Sequence, residues 1–362
     1  MQGSFRVALI GYGFMGRAHS NAYHQVGHFF DLERRPALKV ICGRDRDKLS
    51  SMAAQWGWES QCADWREAVA RQDVDAVDIV APNFLHAEIA MAAAAAGKMV
   101  LCEKPMAVSL EEAEAMTAAA RGVPSLVWFN YRRVPAIAYA KQLIDEGRVG
   151  RVFHYRAAYL QQWGADPARR SGWKMAKKTA GSGVTGDLLS HVVDTAMWLN
   201  GPISEVCAMQ TTFEPGRDID DAAAVLIRFG NGSTGTFEAT RYGTGGWNRQ
   251  GFEMNGEKGA LAFNLEELNR LAFFDATLPK AEQGTRSLMV TGPEHPHASS
   301  FWAKPGHILG YEHTFVSTLA DFLAAQEKGG NFHPDFADGL RVHQVLDAIE
   351  RSAAARCWIA IA

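Results

Sequence analysis

The stretch VALIGYGFMG, residues 7–16, places three glycines directly after a short apolar run that starts at Phe5. Such a run is typical of a buried parallel strand, and the residues after the glycines continue at helical period. In a strand–turn–helix, Gly11 permits the tight turn, Gly13 lets a ligand approach the backbone, and Gly16 lets helix and strand pack closely. Because the helix start also offers free N–H groups to a phosphate, the stretch predicts a dinucleotide-binding turn rather than a purely structural one.

The composition is that of an ordinary soluble protein. With 362 residues, the chain is long enough for about two domains. The formal net charge of −3 and the lack of a basic stretch give no sign of a nucleic-acid or anionic-membrane partner. No apolar run reaches the length of a membrane span, and the first strand begins too early to leave room for a signal peptide. Five scattered cysteines without a CxxC pair indicate reduced thiols, so we expect a cytoplasmic protein.

The first third of the chain alternates strand-like and helix-like segments. Apolar strands are predicted, with helices between them, at residues 38–42, 76–82, 99–102 and 124–130. Strands that alternate with helices imply a doubly wound parallel sheet. We therefore predict an α/β chain whose residues 1–129 form a Rossmann dinucleotide-binding domain.

The character of the sequence changes after residue 130. Asn231-Gly232 separates two alternating segments, which predicts a two-residue hairpin, and residues 251–264 show a second hairpin pattern. One long helix, from about Asp187 to Asn200, interrupts the strands, and two late helices follow. We therefore predict that residues 130–362 form an α+β domain with a large, mostly antiparallel sheet.

Two groups of polar residues stand where chemistry is expected. Glu103-Lys104-Pro105 follows the end of a predicted strand, where ligands bind in open α/β sheets; the alternative is a solvated loop lysine. On the long helix, Asp187, His191 and Asp194 share one face because they are spaced four and three residues apart. An imidazole between two carboxylates can accept a proton, and the alternative is a core histidine satisfied by a neighbouring aspartate.

Taken together, these motifs resemble the Gfo/Idh/MocA family of oxidoreductases over nearly the whole chain. The resemblance is carried by GYGFMG (11–16), PNFLH (82–86), EKP (103–105) and GDLLSH with VVD (186–194), while Gly181-Ser182-Gly183 departs mildly from the usual glycine triplet. It implies an N-terminal Rossmann domain and a C-terminal domain built on a mostly antiparallel sheet. That second domain binds the substrate and often forms a dimer or tetramer interface, so we expect a homodimer or homotetramer.

The resemblance also implies reversible hydride transfer between a secondary alcohol carbon and the nicotinamide of NAD(P). It makes Lys104, Asp187 and His191 the catalytic residues. His191 would take the hydroxyl proton, Asp187 would orient the sugar and support the imidazole, and Lys104 would bind the reacting oxygen. The residues expected to bind the cofactor are Gly11, Gly13, Phe14, Met15, Gly16, Arg44, Asp45, Pro82, Asn83, His86, Glu103 and Lys104.

The end of the second strand bears on the choice of cofactor. NAD enzymes usually place an acidic residue there for the ribose 2′-OH, and NADP enzymes place an arginine nearby for the 2′-phosphate. Gly43 occupies the acidic position here and Arg44 follows it, which favours NADP over NAD. Asp45 remains an alternative partner for a 2′-OH.

A narrower resemblance, to the levoglucosan dehydrogenase group, is carried by FNYRRVPA (129–136) and YLQQWGADP (159–167). Those enzymes oxidise a ring hydroxyl of a pyranose-type sugar, and we expect a neutral sugar, an anhydrosugar or an inositol as substrate. The indole of Trp163 would stack on a sugar face and the side chain of Gln162 would form hydrogen bonds with sugar hydroxyls. The alternatives are that Trp163 packs under a loop and that Arg132 makes a structural ion pair. The substrate-contacting residues that the resemblance implies are Lys104, Tyr131, Arg132, Gln162, Trp163, Asp187 and His191.

Other functions stay open on the sequence alone. Some relatives in the family oxidise a sugar transiently with bound NAD and then eliminate or hydrolyse a glycosidic bond. Others are non-enzymatic sensors, although the retained catalytic trio argues against a sensor. We expect no metal site, because the spacing of the late histidines fits no common zinc pattern. Those histidines are His295, His297, His307 and His313.

Overall fold

A computed structural model describes residues 3–169 and 172–361, which form two compact units. The first unit runs to Asn130 and also contains Tyr311–Arg341, while the second contains Tyr131–Gly310 and the residues from Val342 onward. The chain first passes from the first unit to the second after Asn130, and the boundary predicted from the sequence lies between residues 129 and 130. The second unit differs from the predicted domain of 130–362, because Tyr311–Arg341 belongs to the first unit.

The elements of both units are numbered in chain order. The strands are β1 (Gly3–Ile10), β2 (Arg34–Cys42), β3 (Ser60–Cys62), β4 (Ala76–Ile79), β5 (Met99–Cys102), β6 (Ser125–Val127), β7 (Val152–Leu160), β8 (Ile203–Thr211), β9 (Ala222–Phe229), β10 (Thr234–Thr240), β11 (Arg249–Gly256), β12 (Gly259–Asn264), β13 (Arg270–Asp275), β14 (Thr285–Met289) and β15 (Ile359–Ala360). The helices are α1 (Phe14–Phe29), α2 (Arg46–Trp56), α3 (Trp65–Ala70), α4 (His86–Ala95), α5 (Leu110–Ala119), α6 (Pro135–Asp145), α7 (Lys177–Ala180), α8 (Ser190–Asn200), α9 (Glu312–Glu327) and α10 (Phe336–Ala355).

The sheet of the first unit is parallel throughout and has the strand order β3-β2-β1-β4-β5-β6. The order reverses between β1 and β4, which is the arrangement of a doubly wound dinucleotide-binding sheet. Its central strands are apolar and buried because helices cover both faces of such a sheet. The predicted Rossmann fold is therefore confirmed.

Helix α9 joins the first unit because its apolar face packs on α1. Phe315 and Phe322 are almost completely buried on that face. The ring of Phe315 lies 5.4 Å from the ring of His19, and the ring of Phe322 lies 6.4 Å from that of Phe5. Burial of two aromatic side chains explains why a segment so late in the sequence returns to the N-terminal sheet.

The second unit is built on a nine-stranded sheet with the order β14-β13-β12-β11-β7-β10-β9-β8-β15. All of its strand pairs are antiparallel except β7 with β10, which confirms the prediction of a mostly antiparallel sheet. The hairpin at Asn231-Gly232 joins β9 to β10 as predicted, with Gly232 at φ +86°. The connection is longer than the predicted two residues, because residues 230–233 separate the two strands. Along β9 buried and exposed residues alternate, so one face of the sheet carries the core under α8 and α6.

The ends of β7 and β10 position the polar residues of the second unit. Because these two strands are parallel and Leu160 pairs with Thr240, the segments that follow β7 and β10 leave the sheet side by side, at the same end of the strands. Before α8 the backbone makes a π-helical turn, Thr185–Leu189, and such turns often mark functional sites. None of the helices in the described residues is both long and apolar enough to span a membrane.

Candidate active site

The glycine turn between β1 and α1 has the geometry that a pyrophosphate needs. Gly11 has φ +121°, and a Cβ there would lie 2.7 Å from the Val80 carbonyl oxygen. A Cβ on Gly16 would lie 2.9 Å from the Gly11 carbonyl oxygen, so helix and strand could not approach each other with a larger residue. A Cβ on Gly13 would meet nothing within 4 Å, which leaves open space beside the backbone for a diphosphate.

The N-terminus of α1 adds to this fit. Its N-cap residue, Gly13, has no side chain to cap the first N–H groups, and the first turn of α1 contains no acidic residue that would repel a phosphate. Phe14 is 63% exposed and Met15 is half-buried, so both predicted cofactor residues have side-chain surface available beside the turn. The turn therefore suits the dinucleotide that the sequence predicts.

The end of β2 explains the missing acidic residue. A Cβ on Gly43 would lie 2.1 Å from the Tyr12 ring, so no larger side chain fits there while Tyr12 keeps its place. Asp45 caps α2 by accepting the Lys48 N–H at 3.2 Å, and its carboxylate also lies 3.0 Å from the Lys48 ammonium. These contacts hold the pKa of the Asp45 carboxyl below its ordinary value. Arg44 is exposed at the same strand end.

The turn after β4 carries the predicted residues Pro82, Asn83 and His86. Asn83 is 8% exposed, and His86 is buried at the start of α4. The Nε2 atom of His86 lies 2.8 Å from the Ala81 carbonyl oxygen and its Nδ1 atom lies 3.1 Å from the Pro105 carbonyl oxygen. Burial lowers the pKa of His86. The ring lies between the loops that follow β4 and β5, and in its neutral form its single N–H donates to one of the two carbonyl oxygens.

Glu103 belongs to a buried charged network beneath Lys104. One carboxylate oxygen accepts the Lys104 backbone N–H at 3.0 Å, and the other lies 3.1 Å from His19 Nε2. The Nδ1 atom of His19 lies 2.8 Å from Asp78, which also accepts the Tyr23 hydroxyl at 2.7 Å. His19 thus bridges two carboxylates and fixes the backbone from which the Lys104 side chain extends.

This network makes the stability of the first unit depend on pH. Burial lowers the pKa of His19, but the charges and hydrogen bonds of Asp78 and Glu103 outweigh it and raise the pKa to about 9 from 6.5. Because the folded-state pKa is the higher one, protonated His19 stabilises the fold fully below about pH 6.5, and this contribution is lost as the pH rises through about 9. We expect the urea midpoint to fall across that window.

His19→Gln should remove that part of the pH dependence, because glutamine carries no titrating proton. His28→Gln is the matched control, since His28 is exposed on the same helix. A wild-type midpoint that stays flat from pH 6.5 to 9, or a fall that His19→Gln leaves unchanged, would show that His19 is neutral in the folded protein.

In the second unit, Asp187 lies on the π-helical turn and is half-buried. The guanidinium of Arg241 donates to its carboxylate at 3.1 Å, and the Lys174 ammonium lies 3.5 Å away on the other oxygen. Arg241 is 1% exposed and also donates to the Gly183 carbonyl at 3.3 Å, so its position is fixed by the fold. The pair orients Asp187 and keeps a charged carboxylate next to an immobile cation.

Arg241 connects Asp187 to the predicted indole. Its guanidinium carbon lies 4.9 Å from the centroid of the Trp163 ring, within the range of a cation–π contact. The Trp163 N–H donates to the Gln161 side chain at 2.6 Å, while the Gln162 side-chain oxygen accepts the Gly245 N–H at 2.9 Å. The half-buried indole is therefore held at its edge and beside one cation, which fixes its orientation.

His191 is buried on α8 and stacks on Tyr131, with ring centroids 4.2 Å apart and planes 20° from parallel. The Tyr131 hydroxyl lies 3.1 Å from the Tyr159 hydroxyl, which donates to the Asn248 side chain at 2.7 Å. The Nδ1 atom of His191 is buried. Any exchange of a proton with a ligand therefore falls to Nε2.

Arg132 makes a two-pronged ion pair with Asp194. Its Nε lies 3.0 Å from one carboxylate oxygen and its Nη2 lies 2.5 Å from the other, and both side chains are at least nine-tenths buried. Removing one partner of such a pair costs about 3–5 kcal/mol, because the other is left as a buried charge. The structure thus gives Arg132 the structural ion pair that the sequence offered as the alternative to a contact with substrate.

Four of the predicted residues of the second unit fall into two groups of contacting side chains. Asp187 and Trp163 both contact Arg241, and His191 stacks on Tyr131. The structure adds residues that sequence reasoning missed. Arg241 follows β10, and nothing in its neighbourhood in the sequence distinguishes it from an exposed arginine at a strand end. The missed residues are Tyr159, Lys174, Arg241 and Asn248.

Within the described residues, one group of metal-type ligands lies close together, and it contains none of the late histidines considered above. It consists of His333, Asp335 and Asp338. The Asp338 carboxylate already accepts the Arg341 guanidinium at 2.6 Å and the Asp335 N–H at 3.0 Å. We therefore interpret the three side chains as part of the hydrogen-bonded N-terminus of α10.

Comparison with known protein families finds two matches in sequence order. The NAD-binding Rossmann domain of the GFO/IDH/MocA oxidoreductase family matches residues 5–131. The GFO/IDH/MocA C-terminal domain matches residues 137–262. The gap between the two matches, residues 132–136, lies next to the point after Asn130 where the chain passes from the first unit to the second.

Individual relatives are similar over the whole chain. Levoglucosan dehydrogenase of Pseudarthrobacter phenanthrenivorans is 40% identical over an alignment that covers 98% of each protein. A structure of levoglucosan dehydrogenase with NADH and levoglucosan has a TM-score of 0.97 at 41% identity and covers 99% of both chains. An oxidoreductase domain protein from Kribbella flavida is 45% identical, with a TM-score of 0.95 over 100% of both chains.

Proposed function

This chain belongs to the GFO/IDH/MocA family of NAD(P)-dependent oxidoreductases, and from that premise we propose that it oxidises a ring hydroxyl of a neutral pyranose, an anhydrosugar or an inositol. Levoglucosan dehydrogenase and the inositol dehydrogenases among the relatives of this chain are named for the oxidation of a CH–OH group. The observation that carries the choice of substrate is the group Asp187–Arg241–Trp163, which sets an indole beside hydrogen-bonding side chains. An aromatic face with polar groups around it is the chemistry that recognises a neutral sugar.

In the proposed oxidation, each of the candidate residues has one role. A bound NAD(P) would supply the acceptor for the hydride that leaves the oxidised carbon. His191 takes the hydroxyl proton at Nε2, and Tyr131 holds the imidazole in its plane by stacking. Lys104 holds the reacting oxygen and stabilises its developing negative charge. Asp187, fixed by Arg241, orients the sugar by accepting hydrogen bonds from its hydroxyls.

The finer part of the proposal is a preference for NADP. Gly43 offers no carboxylate, and the carboxylate of Asp45 is engaged by Lys48 at the start of α2. Arg44 is exposed at that strand end and supplies the positive charge that a 2′-phosphate requires. Titration of the protein with NADPH and NADH by fluorescence quenching tests the preference. Tighter binding of NADPH, weakened by Arg44→Ala, supports it, whereas tighter binding of NADH would make Arg44 a surface residue.

Trp163→Ala should raise KM more than it lowers kcat. Stacking on a sugar stabilises the ground state and the transition state alike, so its loss weakens binding without slowing the chemical step. The expected rise in KM is roughly twofold to tenfold, from an aromatic contact of about 0.5–1.5 kcal/mol. Steady-state kinetics on the best substrate of a sugar panel measure both constants.

Trp358→Ala is the matched control, since Trp358 is 40% exposed and its ring centroid lies 5.2 Å from the guanidinium carbon of Arg228. Trp163→Phe should recover part of the affinity because it restores an aromatic face. Unchanged kinetics in Trp163→Ala, or activity confined to sugar acids, would contradict this account of substrate binding while leaving the family assignment intact.

The remaining parts of the proposal concern assembly and location. The outer face of the second sheet carries exposed apolar side chains, among them Met209 at 64% and Leu226 at 51% exposure, and a second copy would cover them in a homodimer or homotetramer. Light scattering in solution tests this, and a monomer mass would contradict it. All five cysteines are free thiols, which supports a cytoplasmic location.

A further inference from the structure

Two cysteines face each other at the ends of neighbouring strands in the first unit. Cys42 is the last residue of β2, Cys62 is the last residue of β3, and the two are register partners. Neighbouring strands lie about 4.8 Å apart, which is within the range of about 4.4–6.8 Å between the Cα atoms of a disulfide. We propose that Cys42 and Cys62 form a redox-active dithiol, which a hydroperoxide closes to a disulfide that weakens dinucleotide binding.

The two thiols are unequal in a way that suits this chemistry. Cys42 is 3% exposed, whereas Cys62 is half-buried and open to a small oxidant. A hydrogen bond from the Cys42 thiol lowers the pKa of Cys62, and the same bond together with burial raises the pKa of Cys42. Cys62 is therefore the nucleophile, and Cys42 is the resolving thiol beside it.

The reaction balances with the hydroperoxide as the only oxidant. The Cys62 thiolate attacks the outer peroxide oxygen and the O–O bond breaks, which gives a sulfenic acid and an alcohol or water. The Cys42 sulfur then attacks the Cys62 sulfur and loses its proton, and hydroxide leaves as water. Two thiols lose two electrons, and the hydroperoxide is reduced by two.

Contacts of the backbone connect this dithiol to the glycine turn. The Cys42 carbonyl oxygen accepts the Gly11 N–H at 2.9 Å, and the Gly43 N–H donates to the Cys62 carbonyl at 3.1 Å. Tyr12, inside the turn, packs directly on Gly43. A disulfide changes the spacing of the ends of β2 and β3 from about 4.8 Å toward the value of about 5.5–6 Å that is most common between the Cα atoms of a disulfide. It therefore shifts the partner of Gly11 and the surface under Tyr12. The inference depends on dinucleotide binding and not on the identity of the sugar.

The experiment exposes the full-length protein to hydrogen peroxide, maps its disulfides by peptide mass spectrometry and titrates it with NADPH and NADH. We expect a peptide that links Cys42 to Cys62, and a Kd for the better nucleotide that rises about fivefold, the effect of losing one backbone hydrogen bond. Dithiothreitol should reverse both changes. Cys62→Ser should keep the reduced-state Kd before and after peroxide.

Cys357→Ser serves as the matched control, because Cys357 is exposed and far from these strands in the sequence, and this variant should respond like the wild type. Three results would overturn the proposal. Cys62 could accumulate as sulfinic acid without a linked peptide, the linked protein could bind nucleotide with its original Kd, or Cys62→Ser could lose affinity under peroxide as the wild type does.

Discussion

Replacing His191 with alanine should leave a folded protein that binds nucleotide and has lost kcat by about 10²–10⁴, the usual cost of removing a general base. The imidazole stands at the start of α8 with Nδ1 buried and its ring stacked on Tyr131. An orientation fixed in this way is what a proton acceptor requires, because the transfer depends on a short and directed hydrogen bond. The measurement is kcat on the best substrate found, alongside nucleotide binding and a thermal melt.

His307→Ala is the matched control for this variant, since His307 is an exposed histidine of the same unit. It should keep wild-type kinetics. If His191→Ala turns over at close to the wild-type rate, the proton acceptor lies elsewhere, and Lys104 or Tyr131 becomes the next candidate.

Lys104→Ala should lower kcat by about 10²–10³ while leaving nucleotide binding and folding near wild type. That is the typical loss when one group that stabilises a developing oxyanion is removed. The backbone at Lys104 is fixed by Glu103, whose carboxylate accepts the Lys104 N–H and contacts His19. The Lys104 side chain therefore extends from a fixed backbone, and the substitution removes the ammonium while leaving that backbone contact in place.

Two further variants make this prediction specific. Lys328→Ala removes an exposed lysine of the same unit and should have no effect. In the double variant of Lys104 and His191, kcat should fall little below that of the worse single variant, because residues that act on one step are not additive. Losses that multiply, or full activity in Lys104→Ala, would contradict a shared role of the two residues.

Much of the fold could be predicted because its signals are local. The glycine turn, the apolar strands of the first unit and the Asn231-Gly232 hairpin each depend on residues close together in the sequence. The strand order of the second sheet and the return of Tyr311–Arg341 to the first unit depend on packing between distant segments. No periodicity within Tyr311–Arg341 indicates that its aromatic residues pack on α1.

The same distinction holds for the site. Asp187 and His191 could be found from their spacing, but an ideal helix describes them incompletely because Asp187 lies on a π-helical turn. Arg241 lies 54 positions from Asp187 in the sequence, and only the fold brings its guanidinium to that carboxylate. Arg132 was predicted to contact substrate, whereas the structure pairs its guanidinium with Asp194, so its role in binding stays a prediction.

The most direct test of the central proposal is the balance between sugar and nucleotide. The protein is incubated with NADP⁺ or NAD⁺ and a panel of neutral pyranoses, anhydrosugars and inositols, while reduced nucleotide and remaining sugar are measured together. We predict that at least one member of the panel is consumed with one reduced nucleotide released for each molecule oxidised. Consumption of a sugar without net NADPH or NADH would instead indicate transient oxidation followed by elimination or hydrolysis, and would contradict the proposed dehydrogenase.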